Sequence, residues 1–162
     1  MVEEKLNLDR YSGENKYLIF ALGDESYGIP LLEVKEVIAV PETTPLPFTP
    51  KHFRGIMNLR GQVISIIDLR EKFHIPTESD EASAVIICDI DPFCIGVVVD
   101  SVVSVLNATK AIFSQKPEIE RYKAHDYVEN MCQHNEQLIL LLNLRKALID
   151  EQHNLLSAFK SA

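Results

Sequence analysis

The 162-residue chain is short of cysteine, of basic charge and of long apolar runs, and each shortage removes a class of protein. Cys88, Cys94 and Cys132 are odd in number and never spaced C-x-x-C, so no disulfide framework is expected, and they read as small buried hydrophobes of a reducing compartment. With His125 and His134 they supply zinc-ligand residue types. Their spacing gives none of the paired clusters of structural sites, so neither metal nor cofactor is expected. Lys and Arg number 16 against 24 Asp and Glu, a net charge of -8, and the cations form no stripe, which argues against a nucleic-acid partner. No apolar run approaches the roughly 20 residues that span a bilayer. The start, MVEEKLNLDRYSGENK, is too polar for a signal peptide. No membrane insertion is expected, and a cytoplasmic residence is. Also missing are G-x-S-x-G, G-x-x-x-x-G-K-[ST] and G-x-G-x-x-G, the usual machinery of acyl transfer and of nucleotide chemistry. Asp89 and Asp91 are a pair of carboxylates, but they follow a strand-like run and precede Pro92, where acidic residues favour turns. An enzyme is not expected.

What is present is a globular composition, 46% hydrophobic and 25% charged, arranged as short β-branched runs. Tyr17 to Leu22, Tyr27 to Ile29 and Val37 to Val40 read as strands, with Leu31 to Glu36 as one helical turn. PETTPLPFTP then places Pro41, Pro45, Pro47 and Pro50 in a connection that can be neither central strand nor helix. Phe53 to Asn58 and Gln62 to Ile67 flank Leu59-Arg60-Gly61, a hairpin signal in which Gly61 takes a positive φ. Asp68, with Glu71 three places on, resembles a capping box for a short helix. HIPTESDEAS reads as a linker, after which Ala84 to Ile90, Phe93 to Val99 and Val102 to Leu106 are again strands.

The restart is a repeat. A shift of 75 places lays Phe53 to Phe73 over Val128 to Leu148 without a gap, so that VISIIDLR overlies LILLLNLR and Asp68 falls on Asn143. The chain is therefore expected to be one domain, 1–162, of two related β-subdomains at 16–76 and 82–148. Small five-stranded units close most easily as barrels, and each half is too small for a core of its own, so the halves should share one. Leu148, Leu155 and Phe159 recur at near-helical spacing and predict a terminal helix over 144–160 that packs back on the barrels. The stiff proline connection and the apolar residues beside it make Val40, Thr43, Leu46 and Gly55 candidates for a docking patch.

YLIFALGDESYGIPLLEVKEVI, FRGIMNLRGQVISIIDLREKF and the later IGVVVDSV together resemble the CheW family of bacterial chemotaxis coupling proteins, from about Lys16 to Leu148. The resemblance implies an all-β fold with short helices: two intertwined five-stranded SH3-like barrels plus a C-terminal helix. It implies a scaffold without catalysis that links the cytoplasmic tips of methyl-accepting chemoreceptors to the regulatory domain of a CheA-type histidine kinase at membrane-associated arrays. Arg60 and Gly61 match the family's N-L-R-G turn, which Asn58 opens, and Glu36 matches its V-x-E-[IV] element. The implied receptor site is an inter-barrel groove lined by the outward members of Val34, Val37, Val99 and Val102, with Glu36 and Arg60 at the rim. Those two opposite charges are also able to pair with each other. The patch of Val40, Thr43, Leu46 and Gly55 would then serve the kinase. Ser65 departs from the family's usual Pro, and Glu129, Asn130 and Asn143 depart from places often held by Gly and Asp. Two other readings stay open: a module of another chemosensory-type pathway, such as twitching or second-messenger output, and a small β-barrel enzyme.

Overall fold

The computed structural model describes residues 15–76, 83–107, 112–114 and 127–148, and within them the chain is almost wholly strand and turn. The strands are β1 (Lys16–Leu22), β2 (Glu25–Pro30), β3 (Val34–Ala39), β4 (Phe53–Leu59), β5 (Gln62–Asp68), β6 (Ala84–Ile90), β7 (Phe93–Val99), β8 (Ser101–Asn107), β9 (Ile112–Ser114), β10 (Val128–His134) and β11 (Gln137–Leu142). The helical turn expected over Leu31 to Glu36 is only a 3-10 turn at Leu31–Glu33, because β3 already starts at Val34. Short helices follow β5 and β11, at Leu69–Lys72 and at 144–148. The rest of the expected terminal helix and residues 77–82 of the linker lie outside the described residues.

Two sheets form, in the orders β8-β1-β2-β11-β10-β9 and β3-β6-β7-β5-β4. They divide the chain differently from the linear halves 16–76 and 82–148. Each sheet takes the first two strands of one half and the later strands of the other, which is the physical content of the intertwining. The expected five-strand count holds for the second sheet, whereas the first gains the three-residue β9 at its edge. The exchange is symmetric in detail. β2 runs parallel to β11 as β7 runs parallel to β5. The β1–β8 ladder skips Val103, and the β6–β3 ladder skips Lys35 at the matching place. The two later hairpins both shift register at the start of their first strand, between Phe53 and Gly55 and between Val128 and Asn130.

Burial explains why several runs are continuously apolar instead of alternating. Ile19, Leu106, Cys132, Ile139 and Leu141 fill the interior of the first barrel. Ile64, Ile66, Val85, Ile87 and Val98 fill the second. The other faces of the same strands, including Leu18, Phe20, Ile29, Ile67, Ile86, Val97 and Val99, meet in a larger cluster shared between the barrels. β1 and β6 are thus covered on both sides, and a strand without a wet face has no polar positions to alternate. The second barrel's closure is visible at one contact: Arg60, on the β4–β5 turn, reaches Glu36 on β3, the strand at the far edge of the same sheet.

Candidate functional site

The β4–β5 connection is a two-residue turn in which both central residues are left-handed, Arg60 at φ 51° and Gly61 at φ 87°. That is the type I′ pattern, whose twist suits a hairpin. The Asn58 side chain secures it by accepting a hydrogen bond from the Gly61 amide at 2.8 Å. The turn holds Arg60 71% exposed, yet its guanidinium donates to both Glu36 carboxylate oxygens, at 2.8 and 3.1 Å. The pairing anticipated between these charges is therefore present, as a planar fork on a carboxylate. The hydrogen bond from Arg60 holds the Glu36 carboxyl below the usual carboxylate range. In the other barrel the matching places are Ser104 and Asn135, which cannot form an ion pair.

Val37 stands exposed beside Glu36, while Val34 and Val102 pack against the shared core with part of their surface open and so border the seam between the barrels. Val99 is 0% exposed inside that core. It is not an outward residue, and the groove is left with Val34, Val37 and Val102. The cause is that β7 is a central strand covered on both faces, so alternation gives its valines no free side.

The proline connection lies against β4 instead of hanging free. Thr44 and Ile56 exchange backbone hydrogen bonds of 2.8 and 2.9 Å, and the Thr43 hydroxyl donates to the Arg54 carbonyl. Val40 and Leu46 are half-buried against the second barrel's interior and the shared core respectively. Gly55 is buried with φ 139°, and a Cβ there would meet the Thr44 carbonyl oxygen. It shapes the connection and offers no surface to a partner. The residue most available in this loop is one that sequence reasoning passed over: Phe48 is fully exposed.

A second omission is Arg70. In the repeat it matches Arg145, which is exposed and donates to the Asp91 carbonyl. Arg70 is instead completely buried. Its Nε and Nη2 donate to the two oxygens of Asp68, each at 3.0 Å, and Nη1 donates to the Ser83 hydroxyl and to Asp100. Arg54 adds a further contact to Asp68 at 3.0 Å. Asp68 also caps the short helix, accepting from the Arg70 amide. The reciprocal half of the expected capping box does not form, because the Asp68 amide is engaged by the His52 carbonyl and Glu71 turns to Lys51. In the other copy Asn143 caps Lys146 and donates to Glu129, so a charged interaction has become an amide–carboxylate one.

Burial pushes the Asp68 carboxyl upward, but hydrogen bonds and charge from Arg70 and Arg54 outweigh it and leave the pKa below its ordinary value. A carboxyl depressed on folding contributes stability above its unfolded value, about 3.9, and that contribution fades as pH falls through the folded value. Asp68→Asn is therefore expected to lower the urea midpoint at neutral pH, and the gap to wild type is expected to narrow as the pH falls below about 4. A gap that stays constant down the series would mean that the carboxylate's charge is not what stabilises the fold.

Catalytic features are scarce among the described residues. No group of three or more His, Cys, Asp or Glu is placed to hold a metal ion. A small cavity lined by Ile90, Phe93, Ile95, Arg145 and Leu148 has about 10 Å³ of free volume, room for roughly one water. Burial raises the pKa of Cys88, Cys94 and Cys132, which keeps them as thiols and poor nucleophiles. No helix among these residues is long and apolar enough to cross a membrane.

Comparison with known proteins agrees with this architecture. The CheW-like domain family matches residues 16–152. The chemotaxis protein CheW of Klebsiella aerogenes is 36% identical over 138 residues, covering 85% of this chain and 83% of its own. The chemotaxis protein CheW of Treponema pallidum is 26% identical, covering 78% of each chain. Among solved structures, the scaffolding protein TtCheW from Thermoanaerobacter tengcongensis superposes with a TM-score of 0.71 at 29% identity, covering 81% of this chain and 85% of its own.

Proposed function

The chain belongs to the CheW-like family, and from that premise we propose that it is a non-catalytic coupling protein of a chemotaxis signalling assembly. It holds the helical tips of methyl-accepting chemoreceptors at one surface and the regulatory domain of a CheA-type histidine kinase at another, in the cytoplasm beneath receptor arrays. The observation that carries the receptor half of this reading is the exposed Arg60–Glu36 fork, built in one barrel and absent from its symmetric counterpart. A purely structural latch would be expected in both copies. A charged fork beside exposed Val37 and half-exposed Val34 and Val102 has the form that an amphipathic helix needs, apolar contacts along its face and a fixed charge at its edge.

An exposed ion pair contributes only about 0 to 1 kcal/mol to stability. Arg60→Ala and Glu36→Ala are therefore expected to leave the melting temperature nearly unchanged. Each should still weaken binding of a receptor-tip fragment by about 2 to 5 kcal/mol, because truncation leaves a charge unpaired in the interface. Calorimetric titration with the fragment, beside a thermal melt of each variant, checks both halves. If either variant unfolds the protein while its folded fraction binds normally, the fork is part of the scaffold and the receptor surface lies elsewhere.

A further inference from the structure

Phe48 lies in the connection between β3 and β4, fully exposed, with φ at +61°. Leu46-Pro47-Phe48-Thr49 has the pattern of a type II turn, proline second and a positive φ third, a place that favours Gly or Asn because a larger side chain crowds its own backbone. An aromatic ring there is unfavourable twice over, straining the backbone and leaving its apolar faces in water. The isolated fold recovers neither loss, since Phe48 belongs to none of the three apolar clusters. The backbone that carries the ring is nevertheless tethered. The Thr49 hydroxyl closes the turn onto the Leu46 carbonyl at 2.9 Å, the Phe53 amide donates to the Pro50 carbonyl, and the Thr44–Ile56 exchange fixes the loop to β4.

We propose that Phe48 is an aromatic anchor that enters an uncharged apolar pocket of the kinase partner. The proposal rests on the coupling function above and names a contact within it. A coupling protein must hold two partners at once, and the loop is well placed for the second. Arg60 sits at one end of the seven-residue β4 and the Phe48 loop precedes the other, a separation of about 20 Å along the strand. A helical tip seated at Arg60 therefore leaves Phe48 free. Residues 43–50 carry no charge, so seating this stretch in an apolar pocket desolvates no ion. Half-exposed Thr43 and Leu46 extend the same surface. Rigid aromatic side chains are the usual dominant contacts of such interfaces.

The test is Phe48→Asn in the full chain, titrated calorimetrically against the full-length CheA-type kinase and separately against a receptor-tip fragment. Asn suits a left-handed turn position, so the variant should melt about 2 to 4 °C higher than wild type. Its affinity for the kinase should fall about 30-fold, the loss typical of a hot-spot aromatic, while receptor-tip binding is unchanged. A gain in stability with a loss of binding is a combination that a structural residue would not give. Unchanged kinase affinity in Phe48→Asn overturns the anchor and leaves the coupling function standing. Lost receptor-tip binding with intact kinase binding overturns it in favour of the receptor, and a variant that melts lower than wild type overturns it as a structural ring. A wild-type chain that binds no kinase removes the coupling function and the anchor with it.

Discussion

Arg70→Ala is expected to destabilise the protein by about 3 to 5 kcal/mol, a large share of the roughly 5 to 15 kcal/mol typical of a whole domain. Arg70 is buried, and its removal would leave Asp68 with Arg54 as its remaining cationic partner in the network, and would take from Ser83 and from Asp100 the contacts that tie them to the helix after β5. Asp100 in turn accepts from the Gly23 amide at the β1–β2 turn, so the loss would spread from one barrel to the other. A urea titration should show the midpoint falling with little change in slope. Arg70→Lys should recover little, because an ammonium is a point donor that cannot span both oxygens of Asp68 while also reaching Ser83. A shift below about 1 kcal/mol for Arg70→Ala, the size expected of an exposed pair, would show that the cluster is not a stabilising centre.

Gly55→Ala is expected to cost about 3 kcal/mol, and its origin is separable from contact with any partner. The φ of 139° is a value that residues with a Cβ rarely adopt, and the added Cβ would meet the backbone oxygen and carbon of Thr44, which have no flexible end to swing aside. The variant must open the Thr44–Ile56 bridge or bend β4 at its register shift. Hydrogen exchange at the Thr44 and Ile56 amides should accelerate selectively, because those two amides hold the loop to the strand. A variant of undiminished stability with protected amides at both positions would mean that the loop yields where the geometry says it cannot.

Strand positions were largely legible in the sequence because β-branched runs bounded by turn residues leave few alternatives. The hairpin Phe53–Leu59 with Gln62–Asp68 was clear from Gly61 and the flanking runs, and its second copy at β10 and β11 followed from the repeat. Pairing beyond these hairpins was not legible. YLIFAL and AVIICDI are apolar at nearly every position, which marks burial on both faces but gives no phase from which to choose a neighbour. Val99 was misplaced for the same reason. Arg70 was hidden by an average property of its type: Arg is mostly exposed, and the partners that allow its burial come from as far along the chain as Asp100. Phe48 was passed over in a proline-rich stretch from which only Thr43 and Leu46 were taken as docking candidates, although the proline before it marks a turn that would present its side chain.

The exchange of strands between the two sheets also sets the order in which the protein can be made. β1 finds a neighbour in β2 as soon as both are synthesised, but its other neighbour, β8, and the parallel partner of β2, β11, come much later in the chain. A nascent chain ending near the linker would therefore hold β1, β2 and β5 with one side of each unpaired and β3 with no ladder partner, and sheets with such open edges invite association with other chains. Few of the pairings that join the barrels are local, so folding should be slow for a domain of this size and should finish only once β11 has left the ribosome. Growth of the polypeptide, rather than either half acting alone, is then the step at which this molecule is most exposed to aggregation and most dependent on chaperones.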